Sequence, residues 1–202
     1  APLLEIVSEP QIRSGSEAVA YARALRELCL YLGVTRGVMQ QGHLRFEPNI
    51  NVVITTGGGE EVQTPIVEVK NINSFKSIER AIEYEHKRQL KEWVDTGKEL
   101  DLGTKTTRGF NDDTGETVLQ REKEEAHDYR YFPDPDLIPF QITDDWIGFI
   151  RKNIPELLKD RRDRYLKQYE LETKDINAIL ERPELADYFE NCLKCFSKKS
   201  KN

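Results

Sequence analysis

Apolar positions recur along this chain with two different periods, and the switches between them mark out its elements. Val19, Ala22, Leu25, Leu28 and Leu32 stand three or four apart, which predicts an amphipathic helix over residues 16–32. Ser14 and Ser16 are its cap candidates, Glu17 sits in its first turn, and Gly33 ends it. A second long helix carries Phe75, Ile78, Ala81, Ile82, Glu85, Leu90 and Trp93 on one stripe, capped at Asn73-Ser74 and closed by Gly97. Between the helices, residues 44–55 partly alternate and are rich in Val and Ile, which predicts a strand; residues 66–70 are its return strand. Gly57-Gly58-Gly59 reads as the turn between them rather than a phosphate cradle, because no helix and no Lys-Ser/Thr pair follows. Residues 3–7 predict a short buried strand stopped by Pro10, and residues 100–119 two strands around the turn signal at 111–115. Residues 129–132 predict one more.

After residue 142 the pattern becomes helical and charged. Residues 144–169 and 174–195 are expected to be helices, with Pro155 and Pro183 as helix starts. The chain therefore divides into an α+β part, residues 1–142, and an all-α part, residues 143–202. No repeat is visible, and the Lys-rich tail after Phe196 is expected to fray.

Composition narrows the picture. At 38% hydrophobic and 33% charged, with apolar runs throughout, the chain should fold rather than stay disordered. No apolar stretch approaches the ~20 residues a bilayer requires, so no membrane association is expected. No secretory leader is visible, and three cysteines make no disulfide framework. A bacterial cytoplasm or an organelle matrix fits. The net charge of −6 argues against coating nucleic acid by charge alone, although Lys159, Arg161, Arg162, Arg164 and Lys167 form a basic helix face that is either solvated or an RNA backbone contact. The opening 1–7, without an initiator Met, suggests a piece of something longer.

The chemistry concentrates in carboxylates set among strand-forming residues. Glu5 lies in Leu-Leu-Glu-Ile-Val, Glu47 in Arg45-Phe46-Glu47-Pro48-Asn49, and Glu68 in Ile-Val-Glu-Val-Lys. A carboxylate on a sheet either faces water, pairs with a base, or holds a cation. Oxygen ligands without thiolates favour magnesium, which would clamp phosphate oxygens. Lys70, Asn71, Asn73 and Ser74 then stand at a strand-to-helix junction, where free helix N–H groups suit an anion. Residues 127–136 pack aromatics, Arg130 and acids together; they read equally as a core strand followed by a Pro-Asp turn. Cys192 and Cys195 form a lone pair of no evident metal role, Cys29 reads as core, and His43 and His86 have no spaced partner.

Four ordered segments carry a family resemblance. Residues 4–14 (Leu4-Glu5-Ile6-Val7-Ser8-Glu9-Pro10 onward) resemble the LIEIVSEPDIRS motif of the B subunit of aspartyl/glutamyl-tRNA amidotransferase. Residues 39–49 look like its MEEGSLRCDAN segment, residues 68–75 like ELKNLNSF, and residues 127–135 like HDYRYFPEP. The resemblance implies a fold like the catalytic domain of glutamine synthetase, the family's cradle, with a mixed or antiparallel sheet, followed by the start of a helical domain. It implies a ligase forming carbon–nitrogen bonds with glutamine as amide donor. ATP, with Mg2+, phosphorylates the side-chain carboxylate of Glu-tRNA(Gln) or Asp-tRNA(Asn). The implied partners are the amidotransferase's A and C subunits: the first releases the ammonia that displaces the phosphate, and the second braces the pair. Residue by residue, Glu5 and Glu47 match metal ligands, Glu68, Lys70 and Arg130 match catalytic positions, and Arg45, Asn49, Asn71, Asn73 and Ser74 match positions that hold nucleotide or substrate.

Departures from the family are specific. Glu47 stands where Asp is usual, Phe46 replaces Cys, Pro48 a small residue and His43 a Ser. Further family segments carrying a ligand His and Glu are not found here, so the chain alone is expected to bind ATP poorly and to be inactive. Two rivals remain. Glu47 with Glu68-x-Lys70 also mimics a metal-dependent nuclease, in which two acids hold magnesium and the lysine polarises a phosphate. A non-catalytic scaffold domain is the other.

Overall fold

The computed structural model describes residues 3–101, 105–122, 136, 138 and 141–199. The chain forms two units, residues 1–23 with 38–129, and residues 24–37 with 130–202.

The first unit is built on two helices and a mixed sheet. Helix α1 (Gly15–Tyr31) contributes its first half here. A single 3-10 turn, Met39–Gln41, follows and ends at Gly42, whose φ of 70° a side chain would resist. Strands β1 (Asn49–Ile50), β2 (Val53–Thr55), β3 (Glu61–Gln63) and β4 (Val67–Lys70) come next, then α2 (Phe75–Thr96), β5 (Thr106–Asn111) and β6 (Glu116–Glu122). The four-stranded sheet runs β1-β4-β5-β6, with β4 and β5 parallel and the other neighbours antiparallel; β2 and β3 pair separately.

The expected strand over 44–55 is therefore two short strands in two sheets. Pro48 has no N–H for a ladder, and at Val52 the backbone N–H turns to the Thr64 hydroxyl at 2.8 Å. The hairpin turn at Gly57–Gly59 is present: Thr56 N–H donates to Glu60 O at 2.8 Å and Gly59 has φ 84°. Its immediate return strand is β3, and β4 continues the same arm to pair with β1. The strand expected over 3–7 does not form. Residues 3–9 carry no regular structure, Leu3 is 91% exposed, and no described strand pairs with the run, so its backbone has no ladder to join. The strand expected over 129–132 lies outside the described residues.

Helix α2 begins and ends as its sequence dictates. The Ser74 hydroxyl accepts the Ser77 N–H at 3.0 Å, and Gly97, at φ 65°, closes the last turn by donating to Trp93 O at 2.7 Å. Alternation along β4 buries Val67 and Val69 against α1 and α2, where Ala18, Ala22, Ile72, Ile78, Ala81 and Phe110 complete the core. Glu68 and Lys70 consequently belong to the opposite face.

One carboxylate lies inside. Glu85 is fully buried on α2 and accepts from Arg88 (2.9 Å), Gln89 (2.9 Å) and Thr117, with Arg108 Nε 3.3 Å away. Burial alone would raise its pKa; the hydrogen bonds from Arg88, Thr117 and Gln89 outweigh that and hold it below the ordinary carboxylate range. Gln89 also accepts from Thr64 at 2.6 Å, so the network ties α2 both to the sheet and to the hairpin.

The second unit is helical: α3 (Asp144–Asn153), α4 (Leu158–Gln168), α5 (Thr173–Leu180) and α6 (Pro183–Lys199). The helical stretch expected over 144–169, with Pro155 as a start within it, is two helices parted at Ile154-Pro155. The residue before a proline avoids helical angles, and α4 starts at Leu158, three residues after the proline expected to open it. Pro183 does open α6. Tyr165, Ile176, Leu180 and Ala186 form the core, with Tyr169 and Phe189 edge-on at 5.5 Å. Two residues of the basic face of α4 are engaged in ion pairs. Arg161 meets Asp187 at 2.6 Å and Glu190 at 2.9 Å, and Arg164 meets Glu156 and Glu190 at 2.6 Å each.

Candidate functional site

The sequence left open whether its strand acids face water, a base or a cation. Two of the three converge. Asn49 pairs across the ladder with Glu68, which brings the segment carrying Glu47 alongside β4. Lys70, two residues past Glu68 and so on the same face, reaches both: its Nζ is 3.3 Å from Glu47 Oε2 and 3.9 Å from Glu68 Oε1. The parallel neighbour β5 sets Thr107 against Glu68, and the Thr107 hydroxyl donates to Glu68 Oε2 at 3.1 Å. Glu68 is thus held at one oxygen by Thr107 while the other faces Lys70.

A cleft of about 480 Å³ opens at this point. Glu47 and Lys70 line it together with Arg45, Phe46, Asn71 and Asn73, and the 3-10 turn contributes Met39 and Gln40. The cleft is polar at its acid–lysine edge and apolar at Met39, Leu44, Phe46 and Ile72.

Asn71 has a structural part. It holds φ 64°, a left-handed angle that Asn tolerates better than most residues, and its side-chain amide donates to Phe110 O at 2.9 Å. That kink carries the chain from β4 into α2 beside the cleft. Ser74 is engaged in capping, and the neighbouring Ser77 hydroxyl donates to Asp112 at 2.6 Å. The Ser74 hydroxyl therefore serves the helix rather than lining the cleft, and Asp112 already places a carboxylate close to that helix end. Asn49 is exposed on β1 beside Glu68.

Glu5 is not built into a strand; it lies exposed in the irregular residues 3–9. Arg130 lies outside the described residues. Among the described residues no group of three or more His, Cys, Asp or Glu side chains could hold a metal ion. Glu47 and Glu68 alone suit magnesium bound in the way it usually is with nucleotides, through one or two carboxylates, with phosphate and water completing the shell. They do not form a self-contained metal cage.

Thr107 was not among the residues the sequence singled out. Thr107 is visible only through the parallel β4–β5 register, which nothing local in the sequence announces.

These features define an α+β domain with an acid–lysine–acid edge on a mixed sheet. The family described as the GatB/GatE catalytic domain matches residues 1–148, and the chain belongs to it. The B subunit of the aspartyl/glutamyl-tRNA(Asn/Gln) amidotransferase of Geotalea daltonii is 46% identical over 196 residues, covering 97% of this chain and 40% of that protein. The protein of the same name from Rhodopirellula baltica is 44% identical over 193 residues, 95% of this chain and 39% of its own length. That of Borrelia garinii subsp. bavariensis is 49% identical over 191 residues, 94% and 39% respectively. The chain spans about 40% of the length of these curated relatives. No described helix is long and apolar enough to cross a membrane.

Proposed function

We propose that this chain carries part of the site at which a tRNA-dependent amidotransferase activates the side-chain carboxylate of Glu-tRNA(Gln) or Asp-tRNA(Asn). The supporting observation is the Glu47–Lys70–Glu68 grouping, of which Glu47 and Lys70 line a cleft of about 480 Å³, in a chain of the GatB/GatE family. A carboxylate is a poor acyl donor, and converting it to an acyl phosphate supplies a leaving group that ammonia can displace.

Glu47 and Glu68 would hold magnesium, which when bound neutralises charge on the phosphate oxygens. Lys70 binds the phosphate end of ATP, and Arg45, Asn71 and Asn73 orient ligand along the cleft wall. Phe46 and Ile72 give the wall an apolar part that excludes water. Glu5 and Arg130 are assigned to the same site by resemblance alone. A cradle like that of glutamine synthetase is the fold this reading favours, with the amidotransferase's A and C subunits as partners in the bacterial cytoplasm or an organelle matrix. The chain alone is expected to be inactive.

The test is release of ADP that depends on the charged tRNA. Magnesium-dependent cleavage of plasmid DNA would instead support the nuclease reading of the same acids.

A further inference from the structure

The acid–lysine–acid edge has unequal mobility. Glu47 and Glu68 bring two carboxylates to adjoining segments, and the Lys70 ammonium faces both, at 3.3 and 3.9 Å. Glu68 is fixed: its side chain is 16% exposed, its strand is interior to the sheet, and Thr107 holds Oε2. Lys70 is movable. It is the last residue of β4, its side chain is 42% exposed, and its stem carries the charge on four rotatable carbons. The chain kinks away at Asn71 immediately afterwards, and the cleft continues past Lys70 along Asn71, Ile72 and Asn73. The ammonium therefore stands between an acid pair and a volume large enough for a ligand.

We propose that Lys70 is a displaceable resident counter-ion. It closes the Glu47–Glu68 pair when the cleft is empty, gives that pair up to a divalent cation, and swings into the cleft to meet the phosphate that the cation brings. The inference rests on the ATP and magnesium reading above. The physical ground is competition. A divalent cation offers the two carboxylates twice the charge of an ammonium and direct oxygen coordination, and at a few ångströms it repels the ammonium it replaces. The nearest place for that ammonium is the open cleft, where a phosphate supplies the opposite charge.

Lys70 then acts with opposite sign on two ligands, which no purely structural role would do. The test is Mn2+ titration by electron paramagnetic resonance, without nucleotide, of this chain assembled with a polypeptide supplying the rest of the relatives' length, in wild type, Lys70→Met, Lys70→Gln, Glu47→Gln and the Lys70→Met/Glu47→Gln double variant, each checked for folding by circular dichroism. Both Lys70 variants are expected to bind Mn2+ about tenfold more tightly than wild type. That gain should shrink in the double variant. At saturating Mn2+, the same Lys70 variants should bind a non-hydrolysable ATP analogue about tenfold more weakly. Unchanged or weaker Mn2+ binding in both Lys70 variants, with binding still lost in Glu47→Gln, overturns the counter-ion role and leaves the metal reading standing. A gain that persists undiminished in the double variant places the ion elsewhere and overturns the proposal. No Mn2+ binding by any variant at millimolar concentration overturns both.

Discussion

Arg88 grips the fully buried Glu85 carboxylate one turn further along α2, with Nη2 2.9 Å from Oε2 and Nε 3.0 Å from Oε1. Removing one partner of such a pair leaves the other uncompensated away from water. Glu85→Ala should therefore destabilise the first unit by about 3–5 kcal/mol, and Glu85→Gln, which keeps acceptor and donor groups of similar shape, by less. Urea unfolding followed by Trp93 fluorescence in a Trp146→Phe background checks this. Equal stability of Glu85→Ala and wild type would show that the network contributes nothing to the fold.

The pH dependence of stability follows from the same group and from Glu190. At both, burial raises the pKa but hydrogen bonds outweigh it: Arg88, Thr117 and Gln89 at Glu85, and Arg164, Tyr165 and Arg161 at Glu190. Both folded values lie below the unfolded one, so their stabilisation is fully present above the ordinary glutamate value of about 4.3 and is lost as pH falls through the folded value. The urea midpoint should be flat from pH 7 to about 5 and drop below that. Glu85→Gln should flatten the drop for the first unit and Glu190→Gln for the second. A midpoint that rises on acidification would contradict the assignment.

Arg161 distinguishes packing from RNA contact on α4. Its side chain is 9% exposed and is shared by Asp187 and Glu190, so Arg161→Met should loosen the packing of α4, α5 and α6 by about 2 kcal/mol. Amide hydrogen exchange in these helices reads it. Protection unchanged from wild type, together with weakened tRNA binding, would return Arg161 to the nucleic-acid face.

Asn71 sets the exit from β4 into the cleft wall. Asn71→Gly keeps the φ of 64° without strain and loses only the amide bond to Phe110 O, a cost of about 1 kcal/mol. Asn71→Ala loses the bond and adds left-handed strain, so it should cost about 1 kcal/mol more. Thermal unfolding of the two variants gives the comparison, and Ala as stable as Gly would remove the argument from backbone strain.

Local signals carried much of this. The Ser74 cap, the Gly97 stop, the Gly57–Gly59 turn and the turn at 111–115 are short-range chemistry and read directly from residue types. What failed was long-range. Residues 3–7 have the composition of a strand but no described strand to pair with, and residues 44–55 divide between two sheets because of where Thr64 lies. Glu85 sat on the apolar stripe of α2 without betraying that Arg108 and Thr117, from other strands, would meet it there. At the site, Glu47, Glu68 and Lys70 were legible as a group and do come together, although Glu47 stands just before β1 rather than in a strand, while Glu5 lies exposed outside any strand and Ser74 is taken up by the helix it caps. Thr107 depended on a parallel register, which is a property of the fold and not of its own neighbours.

In the function proposed above, Glu47 and its neighbours serve phosphoryl transfer to a tRNA-borne carboxylate. The direct measurement is ADP release with magnesium by this chain, assembled with a polypeptide supplying the rest of the relatives' length and with the amidotransferase's A and C subunits, with and without Glu-tRNA(Gln) or Asp-tRNA(Asn). The account predicts ADP release that requires the charged tRNA and falls by roughly 100-fold or more in Glu47→Gln. A well-folded assembly that releases no ADP in response to either charged tRNA, or whose release is untouched by Glu47→Gln, would contradict it.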